Sequence, residues 1–200
     1  MEAPVPNHHA HHPGFSGWEG LKAAVRFLKV GTDAGVACDL VGIGPGDHLV
    51  DIGSGPGVAV REAVRRGATA VAVDPAEVMI EVGKRRNDHP SIQWRTGAAE
   101  ALPVEDSSAT VVWSMATVHH WQDVDAGLTE VGRVLQPGGR FLAIERYLRG
   151  DGTDITDHGW LESQAEVFMT ACAAHGLGDV RLTTSQASRG KLLCVLATKA

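Results

Sequence analysis

Short apolar runs of strand length alternate with amphipathic stretches through the middle of the chain. Apolar runs at 49–52, 70–73 and 109–114, and a further predicted strand at 91–95, are each followed by polar, turn-prone residues or by helical spacing of apolar positions. A fifth run follows the Pro-Gly-Gly turn predicted within 133–146. This alternation predicts right-handed βαβ crossovers and a parallel sheet with helices on both faces.

The flanking regions carry their own pattern. Residues 1–16 are rich in Pro, His and Gly and are predicted to lack regular structure, whereas 17–29 and 33–41 have helical spacing. Towards the end, 162–175 is predicted as a helix ended by Gly176 and Gly178, and 180–184 and 191–198 as two closing strands. We therefore divide the chain into a tail with lid helices, 1–45, and one α/β domain, 46–200.

The first apolar run ends in an acidic residue and a glycine-rich loop. Asp51 is followed by Gly53, Gly55 and Gly57, and a helix is predicted from Gly57 onwards. Glycines let the backbone approach a ligand closely, and the helix N-terminus points free N–H groups at the same place. The spacing differs from G-x-G-x-x-G, because Val58 stands at the third glycine position, and no Gly-Lys-Ser/Thr follows. A dinucleotide oxidoreductase and a Walker loop are therefore disfavoured.

Further segments follow in a consistent order. Asp74 and Pro75 end the second run, GAAEALPVED occupies 97–106, MATVHHW follows the fourth run, and RVLQPGGRFLAIER spans 133–146. Over 46–146 the chain resembles the Methyltransferase-11 (UbiE-like) branch of the class I S-adenosylmethionine (SAM)-dependent methyltransferases. The resemblance implies a Rossmann-like, doubly wound, seven-stranded sheet that is mostly parallel. The last strand would be antiparallel and inserted between strands five and six.

The implied function is transfer of the methyl group of SAM to an O, N or C atom of a small-molecule acceptor. The alternative is a non-catalytic SAM-binding module or regulatory subunit of the same fold. Strand four ends in SMAT and not in the Asn/Asp-Pro-Pro motif that holds planar amino groups, and no cysteine follows a proline. The absence of these two motifs favours a small-molecule acceptor.

The resemblance also assigns cofactor roles, residue by residue. Asp51 would reach the methionine amino group, Asp74 the ribose hydroxyls, and Met79 the adenine face. Strand-end capping is the alternative for both aspartates, and core packing is the alternative for Met79. The remaining implied contacts are backbone or small-side-chain contacts: Gly53, Ser54, Gly55, Pro75, Ala98, Ala99, Ser114 and Met115.

One position departs from the family. The common pattern is Gly-Asp-Ala-Glu, in which the Asp bonds the adenine amino group, but this chain has Gly97-Ala98-Ala99-Glu100. Glu100 is the candidate replacement for the missing contact. Without one, SAM binding would be weaker by about 1 kcal/mol, the contribution of a typical hydrogen bond.

Candidate catalytic residues are His119 and His120 after strand four and Glu145 at the end of strand five. An imidazole at this edge could accept a proton from an acceptor hydroxyl, and Glu145 could hold a polar acceptor. A packing or shaping role is the alternative for each. His158 and Trp160 are candidates for a wall of the acceptor pocket, with a purely structural role as the alternative.

The N-terminal segment contains four further histidines: His8, His9, His11 and His12. Neutral imidazoles bind zinc or nickel, but only where their geometry is fixed. We favour a solvated tail or a mobile lid that keeps water from the sulfonium, and predict no metal site.

Composition narrows the partners. A net charge of −6 and a pI of about 5.9 disfavour a nucleic-acid partner, and the basic positions at 61–66 and 84–86 are interpreted as solvated helix faces. Three separated cysteines in apolar runs indicate buried free thiols and a cytoplasmic protein. We expect no secretion signal, no membrane span, and a monomer or homodimer.

Overall fold

The computed structural model describes residues 5–11, 16–29, 33–149, 158–188 and 190–200. The helices are α1 (Gly17–Lys29), α2 (Ala34–Val41), α3 (Val58–Arg65), α4 (Glu77–Arg86), α5 (Val124–Val134) and α6 (Glu162–Ala174), with a 3-10 turn at Val118–His120. The strands are β1 (His48–Ile52), β2 (Thr69–Asp74), β3 (Ile92–Thr96), β4 (Ala109–Met115), β5 (Leu135–Arg146), β6 (Leu177–Ala187) and β7 (Gly190–Lys199).

The seven strands form one sheet in the order β3-β2-β1-β4-β5-β7-β6. Strands β1 to β5 pair in parallel, whereas β7 runs antiparallel to both β5 and β6. This confirms the predicted doubly wound fold with its inserted antiparallel strand. The strand order reverses between β1 and β4, and ligands of open α/β sheets bind beyond the carboxyl ends of the strands at such a point. We call this side of the sheet the carboxyl edge.

Side chains alternate between the two faces of the sheet along each strand, and helices cover both faces. On β4, Val112 packs into the core beneath α5 and α6, whereas Val111 and Trp113 pack into the core beneath α2 and α3. Strands covered on both faces need apolar residues at every position. This explains the continuous apolar runs of the sequence.

The two N-terminal helices pack differently. Ala34, Ala37 and Cys38 of α2 are part of the same core cluster as β1, while α1 lies against α4 through Ala24. Helix α2 therefore shares the core of the sheet. The domain boundary at residue 45 stays a prediction.

Three local predictions need correction. The predicted Pro-Gly-Gly turn lies inside β5, where pairing with β4 shifts from Ala109–Leu135 to Val111–Arg140 and Gly138 has a φ of 75°. Such a bulge holds the extra residues without ending the strand. Gly176 follows α6 as expected, but Gly178 lies within β6, which begins earlier than predicted. The 3-10 turn after β4 was not predicted.

The surface and thiol predictions are consistent with the structure. Arg65 and Arg66 form ion pairs with Glu62, and Arg66 also pairs with Asp39. All three cysteines are buried and free, and burial raises the pKa of the Cys172 thiol to about 12. Among the helices in the described ranges, none has the length and apolar composition to cross a bilayer.

Candidate active site

The glycine-rich loop at 53–57 leads from β1 to α3 at the carboxyl edge. The N–H groups of Gly53 and Ser54 donate to the Val73 carbonyl oxygen at 2.8 and 2.9 Å, and the Gly55 N–H donates to Oδ2 of Asp74 at 2.8 Å. Strand β2 therefore holds the loop through the main-chain carbonyl of Val73 and the side chain of Asp74.

The three glycines of the loop meet different surroundings, although each has a positive φ. A Cβ on Gly57 would lie 2.2 Å from the Trp94 ring, and one on Gly53 would lie 2.5 Å from Cγ2 of Thr117. A Cβ on Gly55 would meet nothing within 4 Å. Gly53 and Gly57 are thus required for packing, and Gly55 borders the space into which a ligand can enter.

Asp51 lies beside this space with its carboxyl group buried. The side chain is 2% exposed, and within the described parts of the chain its Oδ2 makes no hydrogen bond. Burial raises the pKa of Asp51 to about 8. The nearby Trp113 indole, which does not reach hydrogen-bond geometry, lowers this pKa, and the charge of Asp74 raises it. A buried carboxyl oxygen without a partner suits a ligand that brings a cation or a hydrogen-bond donor, as the SAM ammonium group does.

Asp74 ends β2 and holds the loop. Its Oδ1 accepts from the Ala76 N–H at 2.9 Å, and its Oδ2 accepts from Gly55. Burial raises its pKa, and these two N–H donors oppose the shift. The structure thus gives Asp74 the capping role that was the alternative interpretation. Its contact with a ribose stays a prediction, and carboxylate oxygens retain lone pairs for one. Pro75 follows at an exposed position.

Met79 is packed and not open to a ligand. It is 1% exposed and belongs to a small cluster with Ala24 of α1 and Val82 of α4. Core packing, the alternative interpretation, describes this arrangement. A contact with adenine would require α1 to move and stays a prediction.

The segment after β3 is held against the start of α5. Oε1 of Glu100 accepts from the N–H groups of Gln122 at 2.7 Å and Asp123 at 3.1 Å, at the start of α5. Glu100 therefore fastens this segment to the start of α5, and its role as a replacement for the missing adenine contact stays a prediction. Ala98 pairs with Ala101 in an isolated bridge, and Ala99 is buried. Their backbone contacts with adenine stay predictions.

The end of β4 makes a sharp turn. Ser114 is fully buried and its hydroxyl bonds that of Thr117, which donates in turn to the Ile52 carbonyl oxygen of β1 at 3.0 Å. Between them, Met115 is partly buried and Ala116 has a φ of 56°. Left-handed backbone at a non-glycine residue is strained, and such strain is concentrated at functional sites. The turn carries the chain from β4 into the two histidines.

His119 and Glu145 form a buried pair. Nδ1 of His119 lies 2.8 Å from Oε2 of Glu145, and the two side chains are 1% and 0% exposed. Because a carboxylate only accepts hydrogen bonds, Nδ1 carries the proton and the lone pair of the ring is on Nε2. Burial, and then the neighbouring imidazoles, lower the pKa of His120 to about 3. His120 is therefore a poor base at neutral pH, and His119 is the better candidate.

The N-terminal segment, residues 5–11, lies against this part of the carboxyl edge. It contacts the turn after β4 and the start of α6, and His9 is 6% exposed. A solvated tail is therefore the wrong interpretation for His9, whereas a lid stays a prediction. The hydrogen bonds that hold the segment run from His9 N–H to the His119 carbonyl (2.8 Å), from Trp160 Nε1 to the Pro6 carbonyl (2.7 Å), from Gln164 Nε2 to the Val5 carbonyl (2.8 Å) and from Asn7 Nδ2 to the Trp121 carbonyl (3.1 Å).

Docking of this segment brings four imidazoles together: His9, His119, His120 and His158. One nitrogen from each ring lies within 4.8 Å of the others. Nε2 of His119 and Nδ1 of His158 are 3.4 Å apart. His11 is exposed at the end of the segment, and His12 lies outside the described residues.

Three residues of the site were not identified from the sequence. Thr117 lies within the MATVHHW segment without a role of its own there, and only its contacts with Gly53, Ser114 and Ile52 reveal what it does. Asn87 donates from Nδ2 to the Pro56 carbonyl oxygen of the glycine loop at 3.0 Å, from a position after α4. As a polar residue, Gln164 is expected from the sequence on the polar face of a helix. In the structure its side chain is 4% exposed and donates to the Val5 carbonyl, which anchors the N-terminal segment. A polar residue at a position where the helical spacing predicts an apolar one was the only clue in the sequence to the role of Gln164.

Comparison with known proteins agrees with this architecture. Residues 50–143 match the family model Methyltransf_11, described as a methyltransferase domain. The ubiquinone/menaquinone biosynthesis C-methyltransferase UbiE of Rubrivivax gelatinosus is 38% identical over 102 residues, which are 50% of this chain and 39% of that protein. The demethylmenaquinone methyltransferase of Mycobacterium sp. (strain KMS) is 37% identical over 108 residues, 54% of this chain and 45% of that protein. The chain thus matches less than half the length of these relatives.

Solved structures extend the similarity to most of the chain. A chain of the Haloferax volcanii complex between the Trm112 methyltransferase activator and a methyltransferase superposes with a TM-score of 0.75 at 20% identity, covering 88% of this chain and 93% of that one. A SAM-dependent methyltransferase from Aquifex aeolicus gives 0.71 at 14% identity, covering 88% and 98%. At these identities the similarity establishes the fold.

Proposed function

We propose that this chain, whose residues 50–143 match the Methyltransf_11 family model, is a class I SAM-dependent methyltransferase of the UbiE-like branch and that it methylates a small-molecule acceptor. The observation that carries the proposal is the pairing of Asp51 with the open side of Gly55. A buried carboxyl oxygen without a hydrogen bond and an unfilled backbone cradle lie together at the carboxyl edge. Both features suit the methionine end of the cofactor.

SAM supplies a methyl group already activated on a sulfonium, so the protein has mainly to align the reactants and exclude water. In our proposal Asp51 holds the ammonium group, the Gly55 backbone lies beneath the methionine, and Asp74 uses its remaining lone pairs for ribose hydroxyls. Ser114 and Met115 border the methionine side at the end of β4. The loop needs little reorganisation, because β2 already holds it.

The acceptor is proposed to bind beside the His119–Glu145 pair. Glu145 keeps the proton on Nδ1, so Nε2 of His119 is the nitrogen that could take a proton from an acceptor hydroxyl or protonated amine. An acceptor with an already nucleophilic atom would need no base. His158 and the N-terminal segment would form a wall of the same pocket.

We further propose that the acceptor is the principal partner of a cytoplasmic monomer or homodimer. Three free buried thiols support a reducing compartment. The ion pairs of Arg65 and Arg66 and the net charge of −6 disfavour a phosphate-backbone ligand.

Calorimetric titration with SAM and S-adenosylhomocysteine tests the cofactor site, with NAD as a negative control. We expect micromolar binding that Asp74→Ala weakens at least about 50-fold, since charge-assisted hydrogen bonds contribute about 1.5–3 kcal/mol each. Asp88→Ala, at an exposed position after α4, is the matched control and should bind normally. Absence of SAM binding in the folded protein would overturn the proposal.

Turnover then separates catalysis from binding. Radiolabelled SAM with a panel of small phenols, amines and quinols should yield a methylated product. Tight SAM binding without methyl transfer to any of these, or to small molecules extracted from a cell lysate, would favour the non-catalytic alternative.

A further inference from the structure

The four imidazoles on the acceptor side come from three separate parts of the chain. His9 belongs to the N-terminal segment, His119 and His120 to the turn after β4, and His158 to the stretch before α6. Neutral imidazole is the commonest metal ligand in proteins. The methyl transfer proposed above requires at most one base here, and a pocket wall does not require imidazole side chains, so the convergence of four rings has no account in that reaction.

The spacing of the nitrogens is close to that of a metal site. For zinc–nitrogen bonds of about 2.0–2.1 Å, tetrahedral coordination places two nitrogens about 3.3 Å apart. Nε2 of His119 and Nδ1 of His158 are 3.4 Å apart, and one nitrogen of each of the four rings lies within 4.8 Å of the others. The remaining contraction is within the reach of small side-chain rotations.

Glu145 provides an independent observation. Metal-binding histidines generally donate their second ring N–H to a carboxylate or carbonyl, which fixes the tautomer and the ring orientation. Nδ1 of His119 lies 2.8 Å from Oε2 of Glu145, and both side chains are almost fully buried. The pair therefore presents the Nε2 lone pair of His119 to the cluster. Since a buried carboxylate needs a partner, this arrangement is a specific feature of the site and not a surface contact.

His9, the member of the cluster most distant in sequence from the other three, is held in place without a metal. The N–H of His9 donates to the carbonyl oxygen of His119, and Trp160 and Gln164 bind the carbonyl groups of Pro6 and Val5. The His9 ring thus reaches the cluster through main-chain docking. Preorganised donors are what a selective metal site needs.

We propose that His9, His119, His120 and His158 bind one divalent transition-metal ion, zinc being the ion that an all-imidazole tetrahedral set suits. This inference does not depend on methyl transfer. The ion would join the N-terminal segment to β4 and to the start of α6, and it would lie beside the proposed acceptor position. Nε2 of His119 would then bind the metal and would no longer be available as a base.

Direct metal binding tests the proposal. Chelator-treated full-length protein without an affinity tag is titrated with Zn²⁺ by calorimetry, and Co²⁺ loading is followed in the visible spectrum. We expect one ion per chain and the intense visible bands of tetrahedral Co²⁺. His9→Gln and His158→Gln should each weaken Zn²⁺ binding at least tenfold and reduce the Co²⁺ bands.

His11→Gln is the matched control, because His11 lies in the same segment but is exposed and outside the cluster. It should leave Zn²⁺ affinity and the Co²⁺ spectrum unchanged. An equal loss in His11→Gln and His9→Gln would show that a histidine-rich tail binds metal without a built site, and would overturn the proposal. Absence of stoichiometric binding would also overturn it. SAM titration of the metal-free protein keeps this result separate from a failure of the methyltransferase proposal.

Discussion

The cofactor side and the acceptor side of the carboxyl edge are built in different ways. On the cofactor side, two nearby parts of the sequence, 51–57 and 73–76, meet through hydrogen bonds from the main-chain N–H groups of the glycine loop to the Val73 carbonyl and the Asp74 carboxylate of β2. On the acceptor side, segments from distant parts of the chain meet: the Trp160 side chain donates to the Pro6 carbonyl, and the main-chain N–H of His9 donates to the main-chain carbonyl of His119. The cofactor side is therefore encoded in contiguous motifs, whereas the contacts of the acceptor side join segments that no single motif contains.

The two sides should also respond differently to substitution. A loop held by several hydrogen bonds to the adjacent strand tolerates changes only where its glycines face open space. A terminal segment docked mainly by single side-chain hydrogen bonds from Trp160, Gln164 and Asn7 can be released one hydrogen bond at a time, with little effect on the sheet. Four predictions test this contrast.

The largest effect is expected where a glycine packs against a ring. Gly57→Ala would place Cβ 2.2 Å from the Trp94 ring at a φ of 77°, and we expect a loss of about 2–4 kcal/mol in unfolding free energy from overpacking and backbone strain. Gly55→Ala, with a φ of 53° and open space, should cost only about 1 kcal/mol but weaken SAM binding. Urea unfolding and calorimetry measure both. Equal destabilisation by the two substitutions would contradict the division of roles in the loop.

The next effect concerns pH. Burial raises the pKa of Asp51 from 3.8 to about 8, so between these values the ligand-free folded state holds a proton that the unfolded state does not. Stability from this group is therefore present below the lower value and is lost as pH rises through the upper one. Because the SAM ammonium group favours the carboxylate, affinity should rise up to about tenfold per pH unit below pH 8 and level off above it.

Calorimetry across this range, in buffers of different ionisation enthalpy, should detect one proton released on binding. Asp51→Asn should bind weakly, with no such pH dependence. A flat affinity profile in the unmodified protein would show that Asp51 is already ionised before SAM binds.

A smaller, local effect is expected on the acceptor side. Trp160→Phe removes the indole N–H that donates to the Pro6 carbonyl oxygen at 2.7 Å, and we expect about 1 kcal/mol less protection of residues 5–11 from hydrogen exchange. SAM affinity should not change. Trp18→Phe, at a 69% exposed position on α1, is the control. Loss of SAM binding in Trp160→Phe would show that the two sides are coupled.

The smallest expected effect is a gain in SAM affinity. Ala98→Asp restores the acidic residue that the family pattern places near adenine, and SAM binding should tighten about fivefold, or roughly 1 kcal/mol. Ala101→Asp, at an exposed position three residues further on, should have no effect. Unchanged affinity in Ala98→Asp would indicate that adenine lies elsewhere or that the backbone of this segment differs from the family.

The predicted elements match the structure where hydrophobic period and turn chemistry agree. Strands β1 to β4 and helices α2 and α6 lie within a few residues of their predicted bounds, because each buries a regular apolar pattern. The Pro-Gly-Gly segment was misplaced because bulges depend on the partner strand. Met79 shows a similar limit, since its neighbours on α1 come from a distant part of the sequence.

The amino-acid sequence alone predicts the resemblance to the methyltransferases, the order of the strands along the chain and the acidic and glycine positions of the cofactor loop. These are properties of short contiguous segments, in which residue spacing decides backbone geometry. The folded structure was needed to show that Gly53 and Gly57 pack while Gly55 stays open, that Glu100 bonds the start of α5, and that His9 lies beside His119 and His158. Those relations depend on which segments the folded sheet brings together, and nothing in the spacing along the chain encodes such contacts.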